Sequence, residues 1–242
     1  MRRLLLACLF SLYAQPLWAQ ATVVGQQVCT SAGSATCTYG SGVAVTAGDL
    51  LVVSIAIRGG AGGTTVSVAD DQSNTYTCPA GAYNNDQSAI CYDLAAGSTA
   101  TVIPTVTLSV AATNIYSNFS VYRSPSAEAW SYDEDNTLDV TANTTHSHGS
   151  ITTTGPGVIV TCSLQNGANT ETPNADFTAL TNNGARDYFQ RRLTTNGVTT
   201  TGEYTTAASA DTFNTIASWK YANDAAAGTG HKNLLLRRVG EP

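Results

Sequence analysis

Charged side chains are scarce in this chain of 242 residues, at 12% of the total, and the only lysines are Lys220 and Lys232. Acids outnumber bases, so the formal net charge is −6. Binding to nucleic acid or to anionic lipid needs a basic surface, and this composition argues against both. Thr, Ser, Asn, Ala and Gly are expected to fill the surface positions that charged residues would otherwise take, as in many exported β-proteins and unlike most cytosolic enzymes.

Catalytic and zinc-binding signatures are also missing. The chain has no Gly-x-Ser-x-Gly nucleophile elbow and no Cys-x-x-Cys pair, which are the local patterns of many hydrolases and of zinc or redox sites. Because Ser and Thr are abundant, any triad chosen from the sequence would be arbitrary. The sequence therefore favours a protein without chemistry of its own.

Only the amino terminus carries a long apolar run, and it is too short to span a bilayer. Arg2 and Arg3 precede the apolar residues Leu4–Leu12, and Ala19-Gln20-Ala21 supplies a small-x-small cleavage motif. This order predicts a signal peptide over residues 1–21, with a lipoprotein signal ending at Cys8 as the alternative. We expect a secreted protein, extracellular or at the cell surface, with periplasmic retention as a further alternative and no transmembrane segment.

Export changes the interpretation of the cysteines. In an oxidising compartment, short loops predict disulfides between Cys29 and Cys37 and between Cys78 and Cys91. Cys162 lies within an apolar strand, where a thiol behaves as a small hydrophobe. A buried, inert thiol is the expectation there, and a reactive or intermolecular thiol is the alternative.

Two apolar runs, each preceded by a turn that contains glycine, organise the rest of the chain: Leu50–Ile57 and Val158–Leu164. Runs of this length between turn signals predict core strands. Each run belongs to one of two similar halves, 22–123 and 151–221. We predict an all-β fold, a two-sheet antiparallel β-sandwich of jelly-roll or Ig-like type, with both halves contributing strands to both sheets.

The expected domain organisation is a single β-sandwich domain over residues 22–224, with two small separate domains as the alternative. Residues 124–150, which contain few apolar residues, are expected to be an irregular connection between the halves. Residues 225–242 are expected to form a tail.

Four motifs carry a resemblance to a known group of domains. They are Gly48-Asp49-Leu50-Leu51-Val52-Val53, Asp71-Gln72-Ser73-Asn74-Thr75-Tyr76, Thr153-Thr154-Gly155-Pro156-Gly157-Val158-Ile159-Val160 and the ending Ala217-x-Trp219-Lys220. Together they resemble bacterial and phage-associated secreted Ig-like or jelly-roll domains of unassigned function. The chain departs from that pattern in the glycine of the first turn and in the aspartate after Gly157. The resemblance implies a surface or extracellular module without assigned chemistry.

Metal binding has two candidate places. His146 and His148 are two residues apart, so on a strand both imidazoles face the same side and could meet one ion; solvated loop histidines are the alternative. Oxygen-rich groups that could hold a structural Ca²⁺ occur around Asp70, Asp71 and Asn74 and again in Asp133–Asn136. Turn formation and a solvated charge run explain these groups equally well, and no other cofactor is expected.

The best candidate for a ligand site lies in the middle segment, where aromatic rings and carboxylates occur together. Its residues are Trp130, Tyr132, Asp133, Glu134 and Asp135. If exposed, such rings could stack on a sugar.

The leading functional hypothesis is a secreted structural, adhesive or self-assembling protein without catalytic activity. Strand addition between copies would make it a homopolymer, with the β-prone segment Thr22–Cys29 as donor strand. The alternatives are a carbohydrate-binding module that recognises a surface glycan, and a jelly-roll hydrolase or lyase.

Overall fold

The computed structural model describes residues 20–78, 83–167, 170–181 and 186–222. Residues 1–19 of the expected signal peptide and the whole expected tail, 225–242, lie outside the described residues. Strands account for 73% of the described residues and helix for 1%, which confirms the all-β prediction. No helix among the described residues is long and apolar enough to cross a membrane.

Seven strands lie in the described part of the first half. They are β1 (Thr22–Thr38), β2 (Val43–Ala44), β3 (Leu50–Thr64), β4 (Val66–Asp70), β5 (Tyr83–Asp93), β6 (Thr101–Val102) and β7 (Pro104–Arg123). A single turn of 3₁₀ helix, Pro125–Ala127, leads into the second half. Its strands are β8 (Trp130–Thr152), β9 (Gly157–Gln165), β10 (Glu171–Pro173), β11 (Thr178–Ala179), β12 (Asp187–Thr194) and β13 (Thr199–Tyr221).

Each half forms its own main antiparallel sheet. The first has the order β1-β7-β3-β5, with β4 also on β7, and the second has the order β10-β13-β9-β12-β11, with β8 also on β13. The expectation that both halves contribute to both sheets is therefore wrong. Each half ends in a long strand, β7 or β13. That strand pairs on both sides with strands of its own half, so each half completes its own sheet.

The two halves repeat one plan, as predicted. On one side β7 pairs with β1, and on the other it pairs first with β4 and then with β3. In the same way β13 pairs with β8 on one side, and with β10 and then β9 on the other. The register makes Leu50 opposite Tyr122 equivalent to Val158 opposite Trp219.

Both faces of β3 are buried, which explains why its first part, Leu50–Ile57, is largely apolar. Its side chains alternate between two faces: Leu50 and Val52 pack in the cluster between the sheets, whereas Leu51 and Val53 pack inside the first half. All four are fully buried. From β9, Val160 and Cys162 join the cluster between the sheets, which packs the two sheets against each other.

The middle segment is not irregular, which corrects the sequence interpretation. The strand β8 covers Trp130–Thr152 and pairs with β13 over its whole length. Most of its side chains are exposed, so it has no need of alternating apolar residues. Its register comes from β13, a signal that its own sequence does not contain.

Both predicted disulfides are present, Cys29–Cys37 and Cys78–Cys91. Cys162 is free and buried, and burial raises the pKa of its thiol well above the ordinary value. A thiol with so high a pKa contains little thiolate, the reactive form. The expectation of a buried thiol is confirmed.

An ion pair fixes the turn before each organising strand. Arg123, at the end of β7, donates from Nε and Nη2 to the two carboxylate oxygens of Asp49 at 2.8 and 2.7 Å, next to Gly48 with its φ of 90°. Lys220, near the end of β13, donates to Asp133 at 3.0 Å. Near its end, each half has an aromatic residue followed by a base, Tyr122-Arg123 and Trp219-Lys220. Both bases thus have a structural role.

Candidate functional site

Three of the predicted ligand residues make contacts within the fold. Trp130 is buried and lies edge-on to Tyr221. Asp133 accepts hydrogen bonds from the backbone nitrogen and hydroxyl of Thr154, both at 2.7 Å, and from Lys220. Glu134 accepts a hydrogen bond from the backbone nitrogen of Thr152. These contacts anchor β8 beside the turn that precedes β9.

The charge state of Asp133 agrees with this anchoring role. Burial alone raises the pKa of its carboxyl, but the hydrogen bonds from Thr154 and the ammonium of Lys220 outweigh burial and hold the pKa below its ordinary value. The carboxylate is therefore ionised at neutral pH and bonded on both oxygens.

Tyr132 and Asp135 remain at the surface and form part of a groove. Tyr132 is 38% exposed, and its hydroxyl donates to the Asp135 carboxylate. Its ring stacks on Tyr92 of β5 with centroids 5.6 Å apart and planes 10° apart. Trp219 meets the ring of Tyr92 edge-on at 5.3 Å. A row of three aromatic rings thus runs from the surface into the cluster between the sheets.

The groove beside these rings, which we call the inter-sheet groove, has a volume of about 180 Å³. It lies where β5 of the first sheet approaches β8 and β13 of the second. Its lining is Thr77, Cys78, Ile90, Tyr92, Tyr132, Asp135, Thr215 and Ala217. The lining combines apolar side chains with hydroxyl groups and a carboxylate.

The hydroxyl of Tyr132 is a permanent donor at neutral pH. Burial and the neighbouring Asp135 carboxylate raise its pKa above the ordinary value of tyrosine, and burial likewise raises the pKa of Tyr92. The first-half partner Tyr92 was not among the predicted site residues, because its meeting with Tyr132 depends on the packing of the two sheets.

His146 and His148 face the same side of β8, as their spacing predicts, but this side is the interior of the second half. Both are fully buried, and both rings contact Tyr204. Among the described residues no group of three or more His, Cys, Asp and Glu side chains could hold a metal ion. The metal site remains a prediction, and binding through these rings would displace existing hydrogen bonds.

All four imidazole nitrogens have partners. Those of His146 lie 3.0 Å from the hydroxyls of Thr206 and Thr212. Nδ1 of His148 lies 2.7 Å from the carbonyl oxygen of Gly202, and Nε2 lies 2.7 Å from Oγ of Ser163. Since a carbonyl only accepts, Nδ1 of His148 carries a proton. Oγ of Ser163 donates to Oδ1 of Asn214 at 2.6 Å and also lies within hydrogen-bond distance of Nε2.

The interior of the second half has an apolar cluster around Ile159, but at three further positions of β9 it is polar where that of the first half is apolar. On β3 the inward positions are Val53, Ile55 and Ile57, and the equivalent positions on β9 are Thr161, Ser163 and Gln165. All six are buried. The alternation of polar residues with apolar ones along β9 was the sequence signal of this polar interior.

The calcium candidates also have protein partners. One carboxylate oxygen of Asp70 accepts from the backbone nitrogens of Gln72 and Asn74, and the other accepts from the Asn74 amide and the Tyr76 hydroxyl. These bonds form the turn that the sequence interpretation gave as the alternative. Calcium binding there stays a prediction.

Comparison with protein-family models, with curated proteins and with solved structures finds no match for this chain. The resemblance to secreted Ig-like or jelly-roll domains therefore stays a prediction.

Proposed function

We propose that this protein is a secreted structural β-sandwich that self-associates through the free edge of β1. The observation that carries the proposal is the composition of that edge. The strand has 17 residues, none of them charged and none of them proline. It ends the first sheet and, within the described part of the chain, pairs only with β7.

Edge strands are normally protected against pairing with another chain by charges, proline or shortness. The other long edge, β8, has such protection in the exposed residues Asp135 and Asp139. The strand β1 has none. Its unpaired backbone groups suit a second strand of the same kind.

The mode of association follows from symmetry. Two copies of β1 that pair antiparallel make the same contacts in both directions and close into a dimer. The predicted donor segment Thr22–Cys29 is already paired with Ser117–Arg123 of its own β7. Edge pairing leaves that strand in place, whereas donation to a neighbour would first break this pairing.

Secretion is part of the proposal. The leader-like amino terminus supports it, and the two disulfides fit an oxidising compartment. An adhesive or structural role at a cell surface requires stability there, which short disulfide-closed loops increase.

The test is size-exclusion chromatography with light scattering on the exported protein. Thr30 is exposed on β1, and Thr30→Lys would enter a symmetric interface twice. The matched control is Thr107→Lys, an exposed position on β7 in the interior of the same sheet. We expect dimers for the wild type and the control and monomers for Thr30→Lys. A monomeric wild type, or a dimeric Thr30→Lys variant, contradicts the proposal.

A further inference from the structure

We infer that the inter-sheet groove binds one ring of a neutral saccharide, stacked on Tyr132 and hydrogen-bonded by Asp135. This site is independent of the edge of β1. The strands β1 and β5 stand at opposite ends of the first sheet, so a dimer formed through β1 leaves the groove open.

The dimensions of the groove limit the ligand to a single ring. Its volume of about 180 Å³ is below the roughly 300–1,000 Å³ of sites that enclose drug-sized molecules. Ile90 and Ala217 supply an apolar surface, and Thr77 and Asp135 supply polar groups. A pyranose ring matches this division, since it has apolar C–H faces and hydroxyl groups around its edge.

Tyr132 is a preorganised platform. One face of its ring is covered by Tyr92, and its hydroxyl is held by Asp135. The exposed 38% of Tyr132 therefore belongs to the remaining face and edge. A ring already fixed by its neighbours loses little conformational freedom when a ligand stacks on it.

The charges of the groove select a neutral ligand. Among the described residues that line the groove, Asp135 is the only acid and there is no base, so an acidic sugar would meet repulsion without a partner. Its carboxylate has a further oxygen that can accept from sugar hydroxyls.

A quaternary ammonium ligand is the main competitor for an aromatic site beside a carboxylate. Such a cation is held over the faces of rings that surround it. Here the two tyrosine rings lie within 10° of parallel and stack on each other at 5.6 Å, which leaves no slot between their faces. One flat platform is suited to a flat ring face.

The test uses the exported protein on an array of neutral glycans, followed by saturation-transfer NMR with the methyl glycosides of glucose, galactose and mannose. The affinity of one sugar ring is expected to be on the order of millimolar. For the best-bound glycan, Tyr132→Ala should weaken binding by about tenfold, the upper range for loss of one aromatic contact. Tyr132→Phe keeps the platform and should retain binding within about threefold.

Leu138→Ala is the control, because Leu138 is 42% exposed on the same strand but does not line the groove. It should bind like the wild type. The inference is overturned if no neutral glycan binds, if Tyr132→Ala binds as well as the wild type, or if tetramethylammonium binds and glycans do not. Because Tyr132→Phe preserves the stack on Tyr92, its binding separates loss of the platform from loss of the fold.

Discussion

At the scale of single residues, the polar interior of the second half contains a hydroxyl group, that of Ser163, which lies between two hydrogen-bond acceptors. Ser163 has one hydroxyl proton and two acceptors within reach, Nε2 of His148 at 2.7 Å and Oδ1 of Asn214 at 2.6 Å. While the imidazole is neutral, that proton can serve only one of the two acceptors at a time. A protonated imidazole would donate to Ser163 instead, and Ser163 would then donate to Asn214.

Protonation of His148 is nevertheless unfavourable in the folded protein. Burial lowers its pKa from 6.5 to about 4. The unfolded chain therefore binds a proton first, so this stability is present above pH 6.5 and is lost as the pH falls towards 4. We expect this group to remove up to about 3 kcal/mol of unfolding free energy. Denaturant titrations between pH 8 and pH 4 measure the loss, and His148→Gln should flatten the curve. An equal slope in the variant would assign the loss to other groups.

Glu171 should act in the opposite direction. Burial raises the pKa of its carboxyl from 4.5 to about 7, so the folded protein holds a proton that the unfolded chain releases. Stability from this group is present below pH 4.5 and is lost as the pH rises through 7. Glu171→Gln, which can still accept from Gln165, should therefore be more stable than the wild type at pH 8 and differ little at pH 4. Urea denaturation at the two pH values gives the comparison, and a variant that is less stable at pH 8 would contradict it.

At the scale of strands, a strand could be predicted from the sequence when its side chains are buried. The strands β3 and β9 were predictable because their apolar runs are buried on both faces. The strand β8 was not, because its exposed faces carry acids and Thr, and its register is set by β13. The same limit holds for the groove: Tyr132 and Asp135 were predicted together because aromatic and acidic residues occur side by side in this segment, but Tyr92 comes from another sheet.

The ion pairs at the ends of β7 and β13 should contribute similarly to stability. Asp49 is buried, with 2% of its side chain exposed, and its partner Arg123 is 42% exposed, so solvent screens part of the attraction. We expect Asp49→Asn to lower the unfolding free energy by about 1–3 kcal/mol, and Asp133→Asn to do so by a similar amount, as measured by chemical denaturation. The control is Asp176→Asn, since Asp176 is 58% exposed in its pair with Arg192; its effect should stay below about 1 kcal/mol. Equal losses at all three positions would show that burial does not matter here.

At the scale of the whole molecule, the apolar cluster between the sheets contains side chains of both halves. Val160 is fully buried in that cluster, together with Val52 of the first half. Loss of a contact there removes packing from both halves at once, whereas an inward residue such as Ile55 packs inside the first half.

Val160→Ala should therefore lower the unfolding free energy by about 1–3 kcal/mol without splitting the transition. Hydrogen exchange should show faster exchange in both β3 and β9. Two separate unfolding transitions, or protection lost in the second half alone, would mean that the halves are independent.

The contrast between the apolar interior of the first half and the polar interior of the second has a calorimetric consequence. Exposure of apolar surface on unfolding raises the heat capacity, and exposure of polar surface lowers it. The interior around Ile55 adds to the heat-capacity change, whereas the interior around Ser163 subtracts from it. The total should fall below the usual figure of roughly 12–15 cal/mol/K per residue. Stability should consequently change little with temperature, so that the protein keeps a similar margin in cold and in warm surroundings.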